Sequence, residues 1–161
     1  MKKIALFFAF VLTTSSLVFA QSPRVKAEST NVTVSYGQPS KKGRVIFGGL
    51  EKFGTVWRTG ANEATEITFK KDVTFGGKAV KAGTYTLFSK LGEKEWTIIL
   101  NSELKQWGSY GYDKIKDKNV AEVTVPVKKL SDVVEKLTIT TDDKTLTISW
   151  DQTSVSVPMK F

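Results

Sequence analysis

Leu137-Thr138-Ile139-Thr140-Thr141-Asp142-Asp143-Lys144-Thr145-Leu146-Thr147-Ile148-Ser149-Trp150 carries an apolar side chain at every second position on both sides of a polar tetrad. Successive side chains of a strand point to opposite faces, so this spacing of two predicts a pair of half-buried strands. The tetrad Thr141-Asp142-Asp143-Lys144 between them reads as a hairpin turn. The same period continues outward on each side. Val123, Val125 and Val127 precede the hairpin, and Val155 and Val157 follow it. Further upstream, Val32, Val34 and Tyr36 alternate with Thr33 and Ser35, Ile67 and Phe69 with Glu66 and Thr68, and Tyr85 and Leu87 with Thr84 and Thr86. Trp96, Ile98 and Leu100 share one face of Glu95 to Asn101. β-Branched and aromatic residues dominate these runs, which suits a pleated surface with one side in a core.

Gly76-Gly77 falls between Val73-Thr74-Phe75 and Ala79-Val80 and predicts a second hairpin. Only Ser102 to Gln106 and Leu130 to Lys136 are spaced for a short helical turn. About ten short strands with close turns predict an all-β antiparallel sandwich, jelly-roll-like, with a closed barrel as the competing architecture. There is no repeat and no linker, so residues 21–161 are read as a single domain.

Residues 1–20 have the layout of a cleavable secretory signal. Lys2 and Lys3 are the basic start, Ile4 to Leu12 the apolar segment, and Val18-Phe19-Ala20 the small-residue cleavage site. Cleavage behind Ala20 would send the chain to the periplasm or out of the cell. Four hydroxyl residues, Thr13 to Ser16, break the run before it reaches the roughly 20 apolar residues of a membrane span. No later segment is apolar enough to cross a bilayer. The chain contains no Cys, so a lipid-anchored form and disulfide stapling are both excluded. The formal charge of +8 falls to +6 without Lys2 and Lys3, and the remaining lysines are scattered in small groups. That pattern is a solvated surface, with no nucleic-acid motif in it. The oligomeric state is left open.

With neither His nor Cys in the chain, the usual nucleophilic triads, cysteine nucleophiles and zinc or iron ligand sets have no residues to build them. No phosphate loop, dinucleotide fingerprint or calcium loop is present. No cofactor, metal site or catalytic residue is assigned. What remains is carboxylate or lysine chemistry, or binding without chemistry.

The polar segment inside this apolar alternation is Val56-Trp57-Arg58-Thr59-Gly60-Ala61-Asn62-Glu63-Ala64-Thr65. An arginine fork, an amide and a carboxylate around Gly60, which allows a tight turn, suit a small polar or anionic ligand. The alternative is that Arg58 and Glu63 pair with each other and close one end of the sandwich. A second cluster, Trp107, Tyr110, Tyr112 and Asp113, lies on a glycine-containing loop. Its aromatics either stack on a sugar ring or cap an open end of the sandwich. Trp96 and Trp150 are in phase with strand cores and are read as structural. A binding site is therefore expected from Arg58, Asn62 and Glu63, flanked by Trp57, Tyr85 and Trp107. Its ligand would be a small polar molecule or a glycan, and the protein a non-catalytic module of the cell envelope. The alternatives are a carboxylate hydrolase of envelope polysaccharide, using Glu63, Asp113 or Asp117, and a structural or partner-binding envelope protein.

Gly43-Arg44 and the Val56–Thr65 run are similar to a family of exported bacterial proteins of unknown function. Gly76-Gly77-Lys78, Ala82 to Leu87, Trp96 to Asn101, Gln106-Trp107-Gly108 and Tyr112-Asp113 resemble further signatures of that family. The resemblance runs from about Ser22 to Trp150. It implies a compartment and a shared domain, and no activity.

Overall fold

The computed structural model describes residues 21–161, so the leader reading lies outside the described residues. Eleven strands form two antiparallel sheets of seven and four strands that pack as a sandwich. The larger sheet runs in the order β1 (Arg24–Glu28), β2 (Val32–Gly37), β4 (Thr65–Phe69), β7 (Gly83–Lys90), β8 (Glu95–Asn101) and β9 (Asn119–Pro126). Its seventh member, β3 (Val56–Trp57), also pairs with β7. The smaller sheet runs β10 (Lys128–Thr141), β11 (Thr145–Lys160), β5 (Val73–Phe75) and β6 (Lys78–Val80).

Both expected hairpins form. Gly76 and Gly77 sit at φ 54° and 85°, the two left-handed positions that a two-residue turn matching strand twist requires. In the β10–β11 turn, Asp142 Oδ1 accepts the backbone N–H groups of Lys144 (3.0 Å) and Thr145 (2.8 Å), and Asp143 takes φ 65°. Those side-chain bonds replace backbone ones at the turn.

The strands are not all short. β10 and β11 span 14 and 16 residues, and Leu130 to Lys136 belongs to β10 as bulged strand, without a helical turn. Lys129 pairs with Thr153, but the next partner of β11, Asp151, lies opposite Val134, so the intervening residues bow outward. Ser102 to Gln106 is also non-helical; the short 3₁₀ turns fall at Tyr112–Lys114 and Lys116–Lys118. Among the described residues, no helix is long and apolar enough to cross a membrane.

The core holds three of the four tryptophans. Trp57 and Trp150 stack at 5.9 Å with 17° between planes, and Trp96 meets Trp57 edge-on at 6.1 Å. Phe47 closes the cluster, its centroid 4.8 Å from Trp96. A small second core lies on the outer face of the larger sheet, where buried Phe88, Ile99 and Ala64 meet Tyr112 and Ile115. This explains why the alternation of β7 and β8 fails at Phe88 and Ile99: the segment from Ser102 to Lys118 covers their outward side.

The two sheets are joined at their edges. Beyond β2, Leu137 donates its N–H to Pro39 O at 3.0 Å, and Lys41 donates to Glu135 O at 2.7 Å, so the chain leaving one sheet lines the edge of the other. At the opposite end, the Asp143 carboxylate accepts from the Ser29 hydroxyl and from the N–H of Asn31 at 2.9 Å, tying the β10–β11 turn to the β1–β2 turn. The Ser29 bond, supported by Asn31 and opposed by burial, holds the Asp143 carboxyl below its ordinary range. A depressed folded-state pKa contributes stability that is complete above the unfolded value of about 3.9 and is lost as pH falls through the folded value. Thermal melts should therefore show a drop in Tm below about pH 4 that is shallower in Asp143→Asn than in wild type. Equal acid slopes would remove this clamp from the account.

Candidate functional site

The Val56–Thr65 stretch is an excursion from one continuous ladder. Trp57 pairs with Ser89, and Thr65 pairs with Leu87, both on β7. Residues 58–64 therefore leave the sheet opposite a single partner residue, Phe88. Buried contacts fix both ends. The Trp57 indole N–H donates to Gly60 O (3.2 Å), and the Thr59 hydroxyl pairs with that of Ser89 (2.8 Å). Thr65 donates its hydroxyl to Thr59 O at 2.8 Å.

The turning is done by Thr59 at φ 55° and Asn62 at φ 63°. A β-branched residue there is strained by about 1–2 kcal/mol, a conformation that persists only where the surroundings over-determine it. Gly60, expected to supply the tight turn, instead permits a close approach. A Cβ on Gly60 would lie 2.9 Å from Gly37 O, and one on Gly37 would lie 2.0 Å from Ala61 O. The end of β2 and the excursion touch backbone to backbone, with Ala61 donating to Gly37 O at 3.2 Å.

Arg58 and Glu63 do not pair with each other among the described residues. Arg58 Nη1 donates to Asn62 O at 3.1 Å, and its guanidinium lies 5.8 Å from the centre of the Tyr110 ring. Arg58 and Arg44 also pull down the Glu51 carboxyl, which burial pushes above its usual range more strongly than they oppose it. Glu63 is 3.9 Å from Arg24 and its side chain is 54% exposed, so that ion pair is loose. Asn62 Nδ2 donates to Ser22 O at 3.1 Å. Arg24 escaped the sequence reading because it is distant in the chain from Glu63, and Glu51 because it sits in no motif and its burial comes from the fold.

The second cluster lies directly beside the first. Ala64 donates to Gln106 O (2.8 Å), Gly108 donates to Asn62 O (3.1 Å), and Glu63 and Trp107 form a β-bridge. The two loops thus form a small annex on the outer face of the larger sheet. Trp107 is 57% exposed and Tyr110 81% exposed on it. Tyr112 turns the other way, with its ring 5.2 Å from Phe88 and its hydroxyl accepting from Asn119 Nδ2 at 2.7 Å.

The remaining expected residues separate. Trp57 is buried in the indole cluster, because its pairing with Ser89 puts it in phase with the inner face. Tyr85 packs against the main core beside Phe69 (6.2 Å) and donates to Lys81 O at 3.0 Å. Neither flanks Arg58 as a surface residue. Of the expected carboxylates, Asp113 lines a cleft of about 520 Å³ with Glu122, Tyr112 and Lys90. Glu63 and Asp117 are not part of it; Asp117 lies on the second 3₁₀ turn. Burial, with Glu122 and Asp113 adding, pushes the Tyr112 phenol up, and the Asn119 bond opposes this.

No curated protein and no solved structure matches the chain. A family match extends over residues 20–159, nearly the whole chain and both sheets. The chain belongs to the family described as "Protein of unknown function (DUF2911)".

Proposed function

We propose that this protein is a non-catalytic binding module, exported to the periplasm or beyond, that takes a glycan or small polar ligand on the annex formed by the two loops. The observation that carries the reading is the exposure of Trp107 and Tyr110, 57% and 81%, on a loop fastened by backbone hydrogen bonds. Leaving large aromatic side chains mostly in water forgoes a good part of the roughly 1.5–3 kcal/mol that full burial of each would contribute, so hydrophobic stability does not account for that placement. Rigid aromatic faces suit the C–H faces of a sugar ring. Beside them, the loosely paired Glu63 carboxylate has lone pairs free for ligand hydroxyls, whereas Arg58 acts through Tyr110, which it holds by a cation–π contact.

The test is retention on a panel of soluble envelope glycans by affinity electrophoresis. Trp107→Ala should weaken binding about tenfold or more, and Tm should move little because the indole is mostly in water. Wild-type protein that binds nothing in the panel, or Trp107→Ala that binds as wild type does, contradicts the reading. Turnover of a glycan, abolished by Asp113→Asn, would move the protein to the hydrolases instead.

A further inference from the structure

A different opening lies at the end of the sandwich where β7 turns into β8, β9 passes into β10, and β11 bends. It is a cleft of about 560 Å³ sharing no residue with the Trp107 annex. Phe47, Phe53 and Trp96, with Val127 and Leu130, form its apolar lining. Phe47 is also the ring that closes the tryptophan cluster, 4.8 Å from Trp96 and 5.9 Å from Trp57, so the cleft floor is continuous with the core. Phe53 is 39% exposed and lies over Gly48, where any Cβ would come within 2.8 Å of its ring. The glycine thus seats the phenylalanine at the mouth.

The backbone around this opening departs from regular strand. The bulge between Lys129 and Val134 parts β10 from β11 at the rim. Asp151, on the rim itself, takes φ 54°. Bulges and left-handed non-glycine residues concentrate where a fold shapes a site.

The charge of the rim is unbalanced. The Asp151 carboxylate is already held by Lys41 at 2.9 Å, and both side chains are about one-fifth exposed (19% and 21%). Lys94 and Lys129 also line the cleft, and among the described residues neither makes an ion pair within 4.0 Å. Glu93 is the one remaining anion. Two free ammonium groups and one carboxylate over an aromatic floor leave a net positive rim. A concave opening that sets a few convergent polar groups over an aromatic floor has the elements of a small-molecule site.

We infer that this cleft binds a planar, ring-bearing organic anion, such as an aromatic carboxylate or sulfonate. The ring system lies on Phe47 and Phe53, and the anionic group meets Lys94 and Lys129. The glycan reading of the annex does not enter this inference, and either can fail without the other.

Two fluorescent probes of nearly the same shape separate its two halves: anilinonaphthalene sulfonate, an anion, and phenylnaphthylamine, its uncharged counterpart. On the purified protein, verified as folded by circular dichroism, the sulfonate should bind saturably at one site, about tenfold or more tighter than the amine. The double variant Lys94→Ala/Lys129→Ala, altered only at the rim, should abolish that difference. Phe53→Ala should weaken both probes, and Trp107→Ala should change neither. Absence of saturable binding, equal affinity for the two probes, or binding unaffected by all of the cleft substitutions overturns the inference.

Discussion

Trp57→Ala is expected to destabilise the protein by about 3–5 kcal/mol, the range for deleting a large aromatic from a closed core. Its indole is 2% exposed and lies between Trp150, Trp96 and Phe47, with centroids 5.9–6.1 Å away. Three large rings cannot collapse onto the vacated volume without leaving their own rotamers, so a cavity remains. The substitution also removes the N–H that Gly60 O accepts, leaving a buried carbonyl short of a donor. Domains of this size have total stabilities of about 5–15 kcal/mol, so much of the folding free energy would go. Tm should fall on the order of 10–20 °C. Trp57→Phe keeps an aromatic in the stack and loses only part of its area and the donor, and should fall between. A Trp57→Ala protein that melts within a few degrees of wild type would mean that the indole cluster is not the centre of the core.

Gly37→Ala should have the next largest effect, through a single added methyl. That methyl would sit 2.0 Å from Ala61 O, closer than any real Cβ contact, and the obstacle is backbone. No side chain can swing away. Either the end of β2 or the 58–64 excursion must move, with loss of the Ala61 N–H to Gly37 O bond. Overpacking of this kind costs about 1–3 kcal/mol or somewhat more. The change also carries to the annex, since Asn62 O accepts from both Arg58 and Gly108. Gly37→Ala should therefore lower Tm by several degrees and, unlike Trp107→Ala, weaken glycan binding by displacing the platform instead of deleting it. An unchanged Tm would show that the crossing is looser than described.

Much of the sandwich was legible in period-two alternation, because the inner faces of β2, β4, β9 and β11 are apolar and their outer faces meet solvent. Alternation fails where that condition fails. Phe88 and Ile99 point outward yet are buried, since a non-local segment covers them. Leu130 to Lys136 looked helical because a bulge shifts side-chain parity within β10. At the site, the sequence identified the polar stretch and the aromatic loop, and the fold places them side by side. It did not separate buried Trp57 from exposed Trp107, since β3 is two residues long and its face is set by pairing with Ser89. Nor did it show that Gly60 serves a close approach and not a turn, or that Glu63 meets Arg24, because both depend on contacts across the fold.

The chain has four tryptophans, and a nitrogen–proton NMR spectrum displays one indole N–H signal for each. That of Trp57 donates to the buried Gly60 O and that of Trp150 to Glu135 O, at 3.2 Å in each case, and both rings lie in the core, while Trp107 stands in solvent. Titration with a glycan from the envelope panel should move the Trp107 signal progressively to saturation and leave those of Trp57 and Trp150 in place. A Trp107 signal that stays fixed through the whole panel, or shifts confined to the buried indoles, would contradict the binding function.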